Sequence, residues 1–571
     1  MRLSRIRPIL CILLLFSAAV SGSTLALAPQ RERGRARTRL VVVIAVDQMR
    51  GDVTTRYAGY LHHGLKRLVD RGLSFSEAHH DHAVTVTAAG HATISTGCTP
   101  ARTGIVGNDW FDRSTGADAY CTYDDSVSGV GTGADDKAHQ SPRNLRRSAL
   151  GDWLKESSPA SKVFSIAGKD RSAVLMGGRK PDGAFWYDDT TGRYVTSTYY
   201  AKSLPAWLDT FNDGGRVQAA FRTGWHRTLP LDDYLISNED AFATENDCAD
   251  TTFPHTFDTG SPAAASAFTK GIMQTPFADE MTLDLAERLI VEERLGADRA
   301  PDILWVGLSA ADIVGHAYGP LSQETQDYYV RLDRRLGVFL EFLDRRLGSS
   351  NYTIALTSDH GVMPLPEELT RRGVPASRVL TKDYTAALNA ATEVARTELG
   401  LSKPLFRSSN YMGVYLDLAE STSRGLAPDE VRNRVADKLR SVPFVADAMT
   451  ADELSASPAT SDRPYLELYR HSFSADRSPD VMLRPNEYAL TRWKTCGTSH
   501  GTPYRFDTHI PMVFFGAGVP AGLRTERVHT TDLAPTLAGL LGAAPPADVD
   551  GVSRFGFQRH RTRPASPRLR P

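Results

Sequence analysis

Cysteine is scarce in this chain, with five among 571 residues and no C-x-x-C pair. That argues against a thiolate zinc site, whose ligands come in such closely spaced pairs. Net charge is missing too. Lysine and arginine number 66 against 67 aspartates and glutamates, a formal charge of -1, so nothing global points to nucleic acid or an anionic membrane as partner. No internal repeat and no long low-complexity tract is visible. No apolar run reaches the roughly 20 residues that a membrane-spanning helix needs. What is present is a globular composition. Apolar residues make up 41% and charged residues 23%, which supports a large core in a soluble chain. At this length more than one structural unit is expected.

The N-terminus reads differently from the rest. Arg2, Arg5 and Arg7 precede an apolar run over residues 9–20, and small residues follow, with Ala19-Val20-Ser21 or Ala26-Leu27-Ala28 as cleavage candidates. This is the layout of a secretory signal peptide. It predicts that residues 1–28 are removed and that the mature chain is periplasmic or extracellular. Cys11 would leave with the leader. Cys98, Cys121, Cys248 and Cys496 remain, which suits one or two disulfides of open pairing in an exported protein. The tail, 559–571, is basic and proline-rich and reads as a disordered end.

Between these ends, continuous apolar runs recur. Leu40–Val46 is mostly β-branched and stops at Asp47, and similar runs cover Val163–Ala167, 303–308, Tyr352–Thr357 and 512–515. Short runs of this kind suit strands buried on both faces of a parallel sheet. Amphipathic patterns lie between them: Leu332, Leu336, Phe339, Leu340, Leu343 and Leu347 form one helical stripe. Strands alternating with helices predict a layered α/β sheet. Two stretches fit that pattern poorly, about 181–276 and about 365–490, and are read as insertions capping the site.

Chemistry-bearing residues gather where those strands end. Asp47 follows the first run, Asp312 follows 303–308, and Asp359-His360-Gly361 follows Tyr352–Thr357. Ligand sites of open α/β sheets form at the carboxyl ends of strands, so carboxylates far apart in sequence can converge. Asp312 and His316 are spaced i, i+4, one face of a helical turn. An oxygen and an imidazole there suit Zn²⁺. His500 sits in a Ser-His-Gly-Thr-Pro loop. Each signal alone is weak. Together they supply six ligands, Asp47, Asp312, His316, Asp359, His360 and His500, enough for two ions about 4 Å apart.

In order along the chain, Asp47, the Thr85-Val86-Thr87-Ala88-Ala89-Gly90-His91 block, Asp312-x-x-x-His316, Asp359-His360-Gly361 and His500-Gly501-Thr502-Pro503 resemble the alkaline phosphatase superfamily. Gly107-Asn108-Asp109-Trp110 and Lys169-Asp170-Arg171 are similar to its phosphate-irrepressible, threonine-nucleophile branch, the PafA type. The resemblance runs from about residue 40 to about 555. It implies a three-layer α/β/α sandwich with a mostly parallel central sheet and capping insertions, spanning 39–558 as one catalytic domain. It implies a phosphate monoesterase with two Zn²⁺ per chain. Asp312, His316 and His500 would hold one ion. Asp47, Asp359 and His360 would hold the other, together with the oxygen of Thr87. Thr87 would be the nucleophile of a phosphothreonine intermediate, because it stands four residues before His91 in the T-x-x-G-H pattern. Thr85 is the rival. Lys169, Arg171 and Asn108 would bind the phosphoryl oxygens of the substrate. The expected partner is a small-molecule phosphate monoester. No nucleic-acid polymer, no membrane span after cleavage and a monomeric state are expected.

Some matches mislead. Cys98-Thr99-Pro100-Ala101-Arg102 spells the C-x-P-x-R pattern of sulfatases, but Cys98 follows the Thr96-Gly97 turn, and Thr87 holds the nucleophile's place before it. His79-His80-Asp81-His82 is rich in ligands, yet neighbours on a strand face opposite sides, which would split the group. The competing readings are a nucleotide phosphodiesterase with the same ligands and threonine, and a non-catalytic zinc-binding protein.

Overall fold

The computed structural model describes residues 38–133, 139–456 and 462–555; the leader and the 559–571 tail expected from the sequence lie outside them. Among the described residues, ten strands form one sheet. In chain order they are β1 (Leu40–Val46), β2 (Leu73–His79), β3 (Gly129–Val130), β4 (Val163–Ala167), β5 (Gly183–Asp188), β6 (Arg193–Ser197), β7 (Asp302–Leu308), β8 (Tyr352–Thr357), β9 (Met512–Gly516) and β10 (Gly522–His529). Across the sheet the order is β10-β2-β9-β8-β1-β7-β4-β5-β6-β3. The five central strands, β8, β1, β7, β4 and β5, run parallel.

Strand β1 shows why the run is apolar throughout. All seven of its residues are buried. Leu40, Val42, Ile44 and Val46 pack with Leu336, Phe339 and Leu340, while Val41, Val43 and Ala45 pack with Ile94, Trp153 and Leu537 on the opposite face. Period-2 alternation sends successive side chains to two apolar layers, so neither face tolerates polarity. Full burial of a Val, Leu or Ile side chain contributes about 1.5–3 kcal/mol. Helices cover both faces, giving the expected α/β sandwich around a mostly parallel sheet.

The parallel centre also places the chemistry. Asp47 lies one residue past β1, Lys169 two past β4, Asp312 four past β7, and Asp359 two past β8. Because these strands point the same way, their four carboxyl ends share one edge.

The sheet extends further than the apolar runs suggested. Residues 181–276, read as lying outside it, contribute β5 and β6. Strand β5 reads Gly-Ala-Phe-Trp-Tyr-Asp, with aromatic residues where the central strands carry aliphatic ones, and these suit a strand equally well. Strand β10 carries no apolar run, since most of it is exposed at the sheet edge. The stretch 365–490 holds a separate antiparallel sheet of Phe406–Asn410, Gly413–Leu416, Val445–Thr450 and Val481–Pro485. An apolar cluster that includes Leu388, Val431 and Val435 backs it. From this stretch the Tyr411 hydroxyl accepts the Asn108 N–H at 3.2 Å, so it reaches the site.

One disulfide, Cys248–Cys496, spans 248 residues. Beside it the Gly497 N–H donates to the Thr244 carbonyl at 2.7 Å, which ties the segment before His500 to the 181–276 stretch. Cys98 and Cys121 are buried free thiols. No helix among the described residues is long and apolar enough to cross a membrane.

Candidate metal centre and nucleophile

Helix α1 (Thr87–Thr96) begins at Thr87 and is buried along its whole length. Gly90 lets it dock. A Cβ there would lie 2.2 Å from the Asp359 carbonyl oxygen, so only glycine permits this approach of helix to strand end. One turn after Thr87, His91 is thereby brought against the ends of β1 and β8. Helix α2 (Asp170–Gly177) starts right after Lys169. Helix α3 (Ala310–Tyr318) carries Asp312 and His316 one turn apart. Its first N–H groups, of Ala310 and Ala311, donate to Asp279 at 3.1 Å each. Burial pushes that carboxyl up to about 7.

Two sets of ligand atoms converge. In each of Asp312/His316/His500 and Asp47/His91/Asp359, one nitrogen or oxygen per residue lies within 4.8 Å of the others. His360 adjoins the second set, with Nε2 3.2 Å from Asp359 Oδ2. Its ring stacks on that of His500 at 3.5 Å between centroids, so the two sets are neighbours. All six residues read as ligands from the sequence are therefore here. His91 is added to them. In the sequence it served only as a marker of the threonine motif, and its ligand-like place comes from the docking of α1.

The imidazoles are prepared for a metal. Each donates Nδ1–H to a main-chain carbonyl: His316 to Thr498 at 2.7 Å, His500 to Thr85 at 2.8 Å, His360 to Gly361 at 2.9 Å and His91 to Thr87 at 2.9 Å. With Nδ1 so engaged, Nε2 carries the lone pair, and each Nε2 faces a carboxylate. His316 and His500 lie 3.3 and 3.4 Å from Asp312 Oδ1, and His91 lies 3.2 Å from Asp47 Oδ1. Anchoring of the remote nitrogen is the arrangement found around metal-bound histidines. Asp47 Oδ1, Asp359 Oδ2, His91 Nε2 and His360 Nε2 are buried without a hydrogen-bond partner. Orphaned atoms of this kind are costly unless something electrophilic fills the space between them. The residues fit divalent metal ions.

Electrostatics differ between the two sets. Burial lowers His500. At the other set burial is outweighed by Asp47 and Asp359 for His91 and by Asp359 for His360, and both are held above their usual value. Burial drives His316 down to about 3 against the pull of Asp312, which keeps the imidazole neutral, the form that binds metal. Burial opposes ionisation of Asp312, but His316, Lys169 and His500 outweigh it and hold the carboxyl well below its usual range. Burial would likewise lower Lys169, yet Asp312 and Asp47 hold it above its usual value.

The remaining predicted residues surround this centre. Lys169 Nζ lies 2.6 Å from Asp312 Oδ2, 3.0 Å from Asp47 Oδ2 and 3.5 Å from Thr87 Oγ1. Thr87 is 1% exposed. The rival Thr85 spends its hydroxyl on the Thr502 carbonyl at 2.8 Å. Asn108 Oδ1 accepts the Ala88 N–H at 2.9 Å, which orients its amide NH₂ as the end left for a ligand oxygen. Arg171 Nη1 donates to the Tyr120 hydroxyl at 3.3 Å, and that hydroxyl donates to Asp170 at 2.7 Å. Tyr120 had no signal in the sequence. Neither had Asp507, whose carboxylate accepts the N–H groups of Gly501 and Thr502 at 3.0 and 2.9 Å and so shapes the loop after His500.

The histidine run at 79–82 is split because β2 ends at His79 and the chain turns away after it. His79 forms a third group of close ligand atoms with Glu77 and His509, where Arg505 also reaches Glu77 with two nitrogens, at 2.9 and 3.0 Å. His80 and His82 pack together instead, with ring centroids 4.9 Å apart.

Removing metal should loosen the protein. An ion that binds only the folded state, present at a thousandfold excess over its Kd, stabilises by about 4 kcal/mol. Dialysis against a chelator is therefore expected to lower Tm, with the stability restored by a divalent metal. Unchanged melting after verified metal removal would contradict the assignment.

The profile of the type I phosphodiesterase / nucleotide pyrophosphatase family matches residues 41–503. Alkaline phosphatase PafA of Elizabethkingia meningoseptica is 35% identical over 531 residues, 92% of this chain and 95% of that protein. Alkaline phosphatase PhoV of Synechococcus elongatus is 34% identical over 523 residues, 90% of this chain and 92% of that protein. The crystal structure of wild-type PafA superimposes with a TM-score of 0.85 at 34% identity, covering 91% of this chain and 98% of that one. The chain thus belongs to the type I phosphodiesterase / nucleotide pyrophosphatase family, in the PafA-type branch of the alkaline phosphatase superfamily.

Proposed function

We propose that this protein is an exported alkaline phosphatase that hydrolyses phosphate monoesters with two zinc ions and a phosphothreonine intermediate. The observation that carries the reading is the placing of one threonine hydroxyl, one lysine ammonium and two aspartate–histidine sets around the same buried point. The donor chemistry, nitrogen and oxygen without sulfur, suits zinc. Export rests on the leader at 1–28.

Asp312, His316 and His500 would hold one ion, and Asp47, Asp359 and His360 the other, with His91 close enough to serve beside them. When bound, the pair supplies Lewis-acid chemistry, favouring the ionised threonine oxygen and neutralising charge on the departing one. The protein's own groups do the rest. Thr87 Oγ attacks phosphorus in line, and the ester P–O bond breaks with its electron pair leaving on the alcohol oxygen. Water then attacks the phosphothreonine, breaking its P–O bond, releasing phosphate and returning the hydroxyl. Lys169, Arg171 and the Asn108 amide bind the non-bridging oxygens, the arginine being able to hold two at once.

A nucleotide phosphodiesterase is the second reading, and one observation favours it. A cavity of about 1010 Å³ adjoins Lys169 and Arg171, with Tyr120, Trp186, Met273 and Ile313 in its wall. It has room for a second ester group as well as for a large alcohol. Rates on an aryl phosphate and on its methyl diester decide between them. The monoester is expected to react faster, and faster diester cleavage would reject the monoesterase assignment.

A further inference from the structure

Gln48 stands between the two ligand sets and touches both. It follows Asp47 and sits in the left-handed region, with φ at 65°. Residues with a side chain avoid that region, so a glutamine held there implies that its side chain is used. The left-handed turn aims the Gln48 N–H at Asp359 Oδ1, 3.0 Å away. It sends the side chain the other way, where Nε2 donates to Asp312 Oδ1 at 2.6 Å. This is the same oxygen that faces His316 and His500. The residue is buried, and Gly315 of α3 makes room for it: a Cβ there would lie 1.8 Å from Gln48 Oε1. The next N–H along, that of Met49, is held by Ser358 Oγ at 2.9 Å, so the turn is fastened on both sides.

We propose that Gln48 is a positioning residue that couples the loading of the two metal sets. This rests on the reading that each set holds one divalent ion. A carboxylate with one fixed oxygen still swings about its last torsion, and the Gln48 amide removes that freedom from Asp312. The amide is carried by the turn that also carries Asp47 and grips Asp359. An ion that orders Asp47 and Asp359 orders the turn, and the turn orders Asp312 for the other ion. Coupling of this kind is reciprocal, so either ion raises the affinity for its neighbour. Glutamine has the required reach. Asparagine, one methylene shorter, tolerates the left-handed backbone but would leave Asp312 unheld.

The experiment titrates metal-free protein with Zn²⁺ by calorimetry and follows Tm with and without metal, for wild type, Gln48→Asn and Gly315→Ala. The alanine displaces the amide without altering a ligand or Gln48 itself. Wild type is expected to take up two ions in one cooperative transition. Both variants should bind in two separate steps, with affinity at the Asp312 set lower by roughly 10–100-fold. Their Tm should fall in the metal-loaded form and hold in the metal-free form. Variants that load two ions with wild-type affinity and curve shape would overturn the coupling while leaving the metal reading intact. An equal drop in Tm in both forms would reduce Gln48 to a packing role. A wild type that binds fewer than two ions would remove the metal pair and the coupling together.

Discussion

Thr87→Ala is expected to lower turnover of an aryl phosphate monoester by on the order of 10⁴–10⁶-fold, the scale seen when a nucleophile is removed, while metal content stays at the wild-type level. The large loss follows from the site's economy of groups. Among the hydroxyls of the T-V-T motif, Thr87 opens α1 3.5 Å from the Lys169 ammonium, whereas Thr85 is committed to the Thr502 carbonyl. None of the four imidazoles near Thr87 offers a nitrogen free of a carbonyl except the one that faces a carboxylate, so no second side chain is placed to take over the attack. Thr87→Ser should retain much of the rate by keeping the oxygen. The measurement is kcat on an aryl phosphate alongside metal analysis, with trapping of phosphoprotein at low pH. Full activity in Thr87→Ala would move the nucleophile to Thr85.

The second large effect concerns charge. A phosphate monoester presents two negative charges and a diester one, so cations that meet the extra charge should discriminate between them. Replacing Lys169 and Arg171 by alanine together is expected to reduce kcat/KM for the monoester by at least the roughly 10²–10³-fold that loss of one well-placed donor costs, and to affect the methyl diester much less. Lys169 has a further duty, because it sits on Asp47 and Asp312 at 3.0 and 2.6 Å. Its removal leaves buried carboxylates less neutralised, which could disturb metal binding. The diester is the internal control. Metal loss would depress both substrates alike, while loss of dianion recognition depresses one. Equal falls on both, with metal content intact, would remove the pair from substrate recognition.

How far the sequence could be read depends on the kind of signal involved. Strands β1, β4, β7, β8 and β9 were visible as apolar runs because strands covered on both faces have no polar side to disguise them. The run at 512–515, read with the parallel strands, proved antiparallel to both neighbours, since burial on two faces carries no mark of direction. Strands β5, β6 and β10 were not, since aromatic, mixed or solvent-facing strands lose that signature. The stretch at 365–490 was visible as a break in the pattern, but its antiparallel sheet was not. Asp312 and His316 were recognisable as a pair because four residues on a helix is a contact in itself.

Strand ends, helix spacing and the order of short motifs by themselves singled out the side chains proposed as ligands and nucleophile, since these are local properties of the chain. Tertiary structure alone decided how they meet. His91 joins Asp47 and Asp359 only because Gly90 lets α1 touch the end of β8. The free nitrogens of His316 and His500 are chosen by carbonyls 182 and 415 residues away. Gln48 bridges the two carboxylates because its backbone turns left-handed between strands. Each of these is a contact between distant segments, and such contacts leave no periodicity or spacing in the chain that could announce them.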